Sequence, residues 1–385
     1  MNITKKHIVR SGASSPRAFF GAHAWYWYIP LAITTLIVLY ALWAVSTSGL
    51  LPTLYSVAAS VLVLVVLALC GFLWLKRFKN DTGRLVARSG AGVLMAVVIV
   101  VSLLGAYMLQ SGLSTLDKLS TKNAVTVETN KPFNIFISGI DTYGDIATQS
   151  RSDVNIAATV DPVNHKVLLT TLPRDSYVRI ALGGNDEYDK LTHAGNYGVE
   201  SSMKTVARVL DTPIDAYVRI NFSTFIGSID TLGGITVDNP VAFTIDGESF
   251  PVGQLELNGK QALLFSRERH SLKGGDVDRG KNQQRVIQGI IDKITSIRSI
   301  DGYNALLGLI GDSVQTNISG DTMKRLINDQ VSHPQRWTTD SYSVGGKGQT
   351  GGLRSYAMPN AQLYMYVLDE TSLATAQGQI RAIMK

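Results

Sequence analysis

Three long apolar runs open the chain. Residues of about 25–46, 50–75 and 91–109 carry no charged side chain, and the first cation after them in the second run's wake is Lys76. Each run approaches the roughly 20 residues a helix needs to cross about 30 Å of hydrocarbon. A buried core helix or a cleaved signal peptide would account for one such run, not for three in succession. The pattern therefore predicts three transmembrane helices spanning residues 25–110, behind a basic tail of residues 1–24.

Beyond residue 110 the periodicity changes. Residues 111–131 are polar and rich in Ser and Thr, ending before Pro132, which predicts a juxtamembrane linker. Apolar and β-branched runs then alternate with helical patterns. FNIFISGI (133–140), VNIAATV (154–160), KVLLTTL (166–172) and AYVRINF (216–222) read as strands, with weaker strands near 338–344 and 363–368. Helices are expected near 200–210, 223–232, 258–267, 279–297, 302–310 and 321–331. DPVNHK between two strands is a hairpin-type turn, so the sheet is expected to be mixed. The fold class that follows is α/β: an αβα-layered domain over residues 132–385, with a mixed central sheet flanked by helices, preceded by three transmembrane helices.

Composition agrees with a membrane protein, with 45% hydrophobic residues and a mean hydropathy of +0.12. Charge sets the orientation. Lys5, Lys6, Arg10 and Arg17 precede the first run, and Lys76, Arg77, Lys79, Arg84 and Arg88 fill the second connection, while the first connection has none. Cations concentrate in cytoplasmic loops, so the N-terminus is expected inside and the domain outside, at the cell membrane. Trp25, Tyr26, Trp27, Tyr28 and Trp74 fall where aromatic belts form. The net charge of +6 does not imply nucleic acid. Residues 1–130 carry 11 Lys and Arg against 3 Asp and Glu, whereas residues 131–385 carry 25 against 27. Cys70 is the only cysteine and lies in the second run, so the exported domain has no disulfide and relies on an ordinary core.

Candidate chemistry sits at strand ends. FNIFISGI runs into Asp141, Arg151 and Asp153 come just before the next strand, and KVLLTTL runs into Arg174 and Asp175. Open α/β sheets present ligand crevices at such ends. Downstream, Arg267 and Arg269 stand at a helix C-terminus, and Asp276, Asp278, Arg279, Gln283 and Arg285 open another helix. Several guanidinium groups suit a ligand with more than one phosphate, and neighbouring carboxylates suit a hard cation such as Mg2+. Taken singly, each of these residues reads more readily as a solvated surface group or salt-bridge partner, as Arg267 beside Glu268 does. His193 and His270 lack metal-ligand spacing and read as loop residues. Gly233 and Gly234 mark a turn before ITVD, and no Ser-His-Asp or glycine-rich phosphate loop is present.

The motifs FISGIDT, SRSDVN, LPRDSYV, INFSTFIGSIDTLGGITVDNP, LNGKQALLFSRER and GGDVDRGKNQQ, in this order from about residue 133 to 297, resemble the LytR-CpsA-Psr phosphotransferases of Gram-positive bacteria. The three-run front and KLTHAGNYG resemble the capsule-type members. The resemblance implies transfer of a glycopolymer from a polyprenyl diphosphate carrier to a peptidoglycan hydroxyl, with release of polyprenyl phosphate. It implies that Asp141 and Asp153 hold Mg2+, with Mn2+ as a substitute. Arg151, Arg174, Arg267, Arg269 and Arg279 would bind the diphosphate with Gln283, and Arg174, Arg267, Arg269 and Asp153 would act in catalysis. Asp276 would support the metal or the acceptor. The polymer would be capsular polysaccharide, exopolysaccharide or teichoic acid. The partners would be that lipid-linked glycan, peptidoglycan, the bilayer and polysaccharide assembly proteins, with no nucleic acid. Asn282 departs from the family pattern, where Arg is usual. An apolar tunnel for the carrier would have INFSTFIGSIDTLGG (220–234) as one wall, a run that by itself reads as ordinary core.

Two other readings compete. A membrane-bound regulator is disfavoured because the tail and the basic connection are too short to fold as a DNA-binding domain. A non-catalytic carrier-binding scaffold keeps the same pocket without the transfer step. Simple hydrolysis would use the same groups, and Asp153 and Asp276 both stand as general-base candidates.

Overall fold

A computed structural model describes residues 28–48, 53–76, 80–143, 146, 149–273, 275–297 and 314–385. The expected helix at 302–310, the basic tail and Trp25, Tyr26 and Trp27 lie outside these residues. The chain divides into two compact units, broadly the apolar helices up to Ala106 and an α/β body from Tyr107 onward.

The first unit is built from α1 (Ile29–Ser48), α2 (Thr53–Leu75) and α3 (Asp81–Leu119), three helices long and apolar enough to cross a membrane. Their contacts are made by small or slender residues: Ala41, Cys70, Ala91 and Met95 are buried, while Leu36, Trp43, Val65 and Val101 face outward. Outward-facing apolar side chains are the mark of a helix whose solvent is lipid. α3 is twice the expected length. Asp81 sits favourably at its N-terminus and pairs with Arg84 at 3.4 Å, so the helix starts within the polar connection.

The second unit is organised by one seven-stranded sheet. Its strands are β1 (Ser120–Val125), β2 (Phe133–Ile140), β3 (Ser152–Asp161), β4 (Lys166–Thr171), β5 (Ala216–Asn221), β6 (Gln315–Ile318) and β7 (Thr338–Ser343). They lie in the order β1-β6-β5-β2-β3-β4-β7. β2 pairs antiparallel with β3 and parallel with β5, and β4 pairs antiparallel with β3 and parallel with β7, so the sheet is mixed. The β3–β4 turn closes because the Asp161 carboxylate accepts the N–H groups of Val163 and Asn164 at 3.1 and 3.0 Å.

β1 and β6 escape a reading by apolar alternation, since STKNAV and QTNI are polar. β6 is held by its side chains instead: Thr316 donates to the Tyr217 carbonyl at 2.5 Å and Asn317 accepts from the Tyr217 N–H at 2.8 Å. With α3 reaching Leu119 and β1 following at once, much of the segment expected as linker is regular structure.

Among the described residues the unit has six further helices: α4 (Val199–Leu210), α5 (Phe222–Thr231), α6 (Gly259–Arg267), α7 (Asp276–Thr295), α8 (Gly320–Ser332) and α9 (Glu370–Ile383). Side chains alternate across the sheet. Phe136, Ala157 and Leu168 face a core shared with Val206 and Leu210 of α4 and Ala376 and Ile380 of α9. Ile156, Ala158, Val167 and Leu169 face Ile287 and Ile291 of α7 on the opposite side. The body is thus a three-layer αβα arrangement. A smaller apolar cluster joins α5, α6 and α7 to the hairpin of Ile235–Asn239 and Gly253–Leu257. Asn221 and Asn258 cap α5 and α6 by accepting the N–H groups of Thr224 and Gln261, both at 2.9 Å.

Register brings four strand ends to one rim. Ile140 at the end of β2 pairs with Ser152 at the start of β3 and with Asn221 at the end of β5, and the Leu172 N–H after β4 donates to Asn155. The segments at those ends carry Asp141, Arg151, Asp153 and Arg174 of the predicted site residues.

Candidate functional site

The site begins with an irregularity in the β2–β3 ladder. Gly139 pairs with Val154 and Ile140 with Ser152, so Asp153 is an extra residue, a β-bulge at the sheet rim. Gly139 permits it, because a Cβ there would lie 2.8 Å from Val154 Cγ2. The loop between the two strands is fastened from below. Arg219, almost fully buried in β5, donates through Nη1 to the Ile146 carbonyl at 2.9 Å, and the Ser138 and Ser152 hydroxyls meet at 2.8 Å.

Arg174 reaches Asp153 from the turn after β4, with Nη1 3.0 Å from Oδ1. That turn is closed by the Ser176 hydroxyl on the Pro173 carbonyl at 2.6 Å. Lys190 lies 2.7 Å from Asp175, and the Thr192 N–H donates to the Arg174 carbonyl at 2.8 Å. Together Asp141, Ser150, Arg151, Asp153, Arg174, Asp175, Lys190, Thr192 and His193 line a polar cavity of about 240 Å3.

α7 contributes from the other side. Gln284 fastens it to the sheet, donating to Thr171 Oγ1 at 2.9 Å and the Tyr342 carbonyl at 3.0 Å. The neighbouring Gln283 and the buried Arg279, one turn before it, line a narrow recess shared with Asp153 and Arg174. Gln283 and Asp153 also stand at the polar end of an apolar cavity of about 90 Å3, walled by residues that include Ile137, Ile220, Phe222, Phe225, Leu263 and Ile287. The expected wall from residues 220–234 is therefore represented by Ile220, Asn221, Phe222 and Phe225.

The structure thus gathers Asp141, Arg151, Arg174, Arg279 and Gln283 in recesses that all include Asp153 or open beside it. Arg267 stands at the edge of the apolar cavity, its guanidinium 4.9 Å from the centroid of the Phe222 ring. Arg269 is exposed, with Nε donating to His270 Nε2 at 3.4 Å, and lines none of these recesses. Glu268 between them turns inward: it is buried and accepts the Ser271 N–H at 2.8 Å. Burial would raise its carboxyl, but the bonds from Ser271 and the neighbouring backbone outweigh that and hold it below the usual range. Asn282 is buried, donating to the Phe265 carbonyl at 3.2 Å and accepting from Arg285 at 2.9 Å. It faces the α6–α7 packing and lines none of the three recesses.

His193, read from sequence as a loop residue, lines the polar cavity with Nδ1 2.8 Å from the carboxylate of the buried Asp189. The available signal was the spacing DKLTH, an acid four residues before the histidine, with Asp189 in the short strand Tyr188–Lys190 and His193 in the turn that follows. That turn, a 3-10 segment of Leu191–Tyr197, rests on the loop before β3: a Cβ on Gly195 would collide with the Ser150 carbonyl oxygen and lie 2.8 Å from the Ser152 nitrogen.

As a donor set for a metal, Asp141 and Asp153, the two carboxylates of the polar cavity other than the Lys190-paired Asp175, suit Mg2+, which takes one or two protein carboxylates and completes its shell with phosphate oxygens and water. No cluster of three or more His, Cys, Asp or Glu residues with metal-binding geometry occurs among the described residues, so the ligand's oxygens would have to complete the shell. An apolar cavity that opens at its polar end onto cations and carboxylates suits an amphiphile with an anionic headgroup.

The sequence model of the LytR_cpsA_psr family matches residues 105–380. The chain is 36% identical over 249 residues to a protein of Enterococcus faecalis named polyisoprenyl-teichoic acid–peptidoglycan teichoic acid transferase TagU, a match that covers 63% of this chain and 82% of that protein. The crystal structure of TagV from B. subtilis superposes with a TM-score of 0.56 at 28% identity, covering 66% of this chain and 98% of that one. A structure described as TagT bound to LIIa-WTA superposes with a TM-score of 0.53 at 25% identity, covering 69% and 96% of the two chains.

Proposed function

The chain belongs to the LytR-CpsA-Psr family, and from that premise we propose that it is a phosphotransferase that moves a glycopolymer from a polyprenyl diphosphate carrier to a peptidoglycan hydroxyl. The observation that carries this reading is Asp153, shared by a cationic recess and an apolar cavity, which is what a lipid diphosphate requires. The relatives named as teichoic acid transferases favour a teichoic acid over the capsular polymer suggested by the three-helix front. By the distribution of Lys and Arg, residues 1–24 are cytoplasmic and residues 132–385 extracellular.

In this reading the first part of the carrier chain enters between β2, β3 and β5 and helices α5 to α7, which places the diphosphate at Asp153 and Gln283. Arg174 and Arg279 bind its oxygens, and Arg151 and Lys190 neutralise the glycan-side phosphate. Asp153 orients Arg174, and Arg267 closes the rim above Phe222. Asp141 and Asp153 would hold Mg2+, which when bound draws charge from the diphosphate oxygens. The acceptor oxygen attacks the glycan-side phosphorus in line with the bridging oxygen, that bond breaks, and polyprenyl phosphate leaves. Catalysis is then mostly placement of cations where charge gathers.

The test is release of polyprenyl monophosphate from a synthetic lipid-diphosphate glycan by the purified full-length protein in detergent with Mg2+ and a peptidoglycan fragment. Glycan found on the fragment supports transfer, and monophosphate without glycan on the fragment indicates hydrolysis. Tight binding without any monophosphate would overturn the proposal.

A further inference from the structure

We infer that His193 takes the proton from the acceptor hydroxyl and that Asp189 is the residue that positions it, an assignment that rests on the phosphotransfer reading above. Asp189 is 1% exposed, and its carboxylate receives His193 Nδ1 at 2.8 Å, the Ser355 hydroxyl at 2.7 Å and the N–H groups of Ala357 and Lys190, both at 2.8 Å. A carboxylate surrounded by donors serves only as an acceptor, so the proton between it and the imidazole belongs to Nδ1. Nε2 is thereby left as the ring's lone-pair acceptor. It has no hydrogen-bond partner among the described residues, and His193 borders the cavity that holds Asp153 and Arg174.

The other acids of that cavity are otherwise engaged. Asp153 gives an oxygen to Arg174, and Asp175 is paired with Lys190. Asp141 is exposed at the end of β2 and is one of the two carboxylates assigned above to Mg2+. The charged groups facing the imidazole are thus Asp189 behind it and Asp141, Arg151, Asp153, Arg174, Asp175 and Lys190 around the cavity. Gly195, two residues on, sits directly on the backbone of Ser150 to Ser152, so the turn that carries the imidazole is referenced to the strand that carries Asp153.

The step balances. The acceptor oxygen forms its bond to the glycan-side phosphorus as the bond from that phosphorus to the bridging oxygen breaks, and the electron pair of the broken bond leaves with polyprenyl phosphate. The hydroxyl proton passes to His193 Nε2 and from there to water, while Nδ1 keeps its proton on Asp189.

The experiment uses the full-length protein in detergent with a synthetic polyprenyl-diphosphate glycan, Mg2+ and a peptidoglycan fragment, following monophosphate release across pH. His193→Asn keeps a donor toward Asp189 and removes the Nε2 acceptor. It is expected to lower kcat by about 10²- to 10⁴-fold, the range for a lost general base, to abolish the acidic limb of the kcat profile, and to leave carrier binding within about threefold. His193→Ala is expected to regain turnover when imidazole is added, which a structural role would not produce. A His193→Asn protein with native kcat and an intact acidic limb, or a His193→Ala protein of low activity indifferent to imidazole, overturns the assignment. A native protein that releases no monophosphate overturns the phosphotransfer reading itself, and this assignment with it.

Discussion

Arg174 Nη1 lies 3.0 Å from Asp153 Oδ1, joining the turn after β4 to the bulge that opens β3. The pair is partly open to solvent, with about a quarter of each side chain exposed, so it serves better to aim the guanidinium than to stabilise the fold. Arg174→Ala is expected to lower kcat by about 10²- to 10³-fold, the cost of one donor to a developing anion. Arg174→Lys should recover only part of that, because an ammonium cannot make the forked contact. Tm should move little in either variant, so thermal unfolding beside monophosphate release separates the two roles.

Gly195→Ala puts a methyl group against the Ser150 carbonyl and the Ser152 nitrogen. Backbone cannot yield as a side chain does, and overpacking of this kind costs about 1–3 kcal/mol. We expect a lowered Tm together with a loss of kcat, since His193 and Arg151 move with the contact. A native Tm and kcat would show that the turn shifts freely.

Asp189 supplies a pH test. Burial would raise its carboxyl, but the bonds from His193, Ala357, Ser355 and Lys190 outweigh that and hold it below the usual value. A group with a depressed folded pKa contributes stability that is complete above its unfolded value of about 3.9 and is lost as pH falls through the folded one. Native protein should therefore lose Tm progressively below about pH 4. Asp189→Asn should be less stable at neutral pH by about 1.5–3 kcal/mol, the range for a lost hydrogen bond to a charged group, and show a shallower acid slope.

Ile287→Trp would fill the apolar cavity from α7 while leaving Asp153, Arg174 and Arg279 in place. KM for a long polyprenyl carrier is expected to rise about tenfold or more, the effect of roughly 1.4 kcal/mol, with KM for a short-chain analogue nearly unchanged. Equal changes for both carriers would place the lipid elsewhere.

Chelation of divalent cations is expected to stop turnover, and Mg2+ to restore it. Asp141→Asn removes one hard donor and should raise the Mg2+ concentration giving half-maximal rate by about 10-fold or more, in line with the loss of a charged ligand. Isothermal titration of Mg2+ in the presence of a non-hydrolysable diphosphate analogue checks the binding step apart from the rate.

Much of this body was legible in sequence because its central strands are strongly patterned. FNIFISGI spans β2 to the residue, and the cap at Asn258 marks the start of α6. α7 begins three residues earlier than its expected Arg279, since the polar DVD turn has no apolar stripe. β1, β6 and α9 were not legible: β6 is held by polar side-chain bonds, β1 is a short polar strand paired with β6, and α9 has few core-facing residues, chiefly Ala376 and Ile380. At the site, the strand-end placement of Asp141, Asp153 and Arg174 could be read, since it follows from where apolar runs stop. That Arg269 faces solvent while Arg279 is buried could not, because both stand beside helix ends and only tertiary packing tells them apart. The bond between His193 and Asp189 joins residues only four apart, yet its importance depends on the loop at Ser355 and Ala357, more than 160 residues away.

The single surplus residue opposite Ile140 has a further meaning. Along β3, Ile156 and Ala158 must face α7 and Ala157 must face α4, a rule that repeats every second position and that folding enforces. Asp153 stands outside that rule. Its aim is decided by one offset in the ladder, so the strand carries two separable specifications, one for assembly and one for aim. Shortening the chain by one residue at the offset would leave the ladder from Val154 onward intact and turn the acid elsewhere, giving a protein that folds as before and has lost the residue its three recesses share.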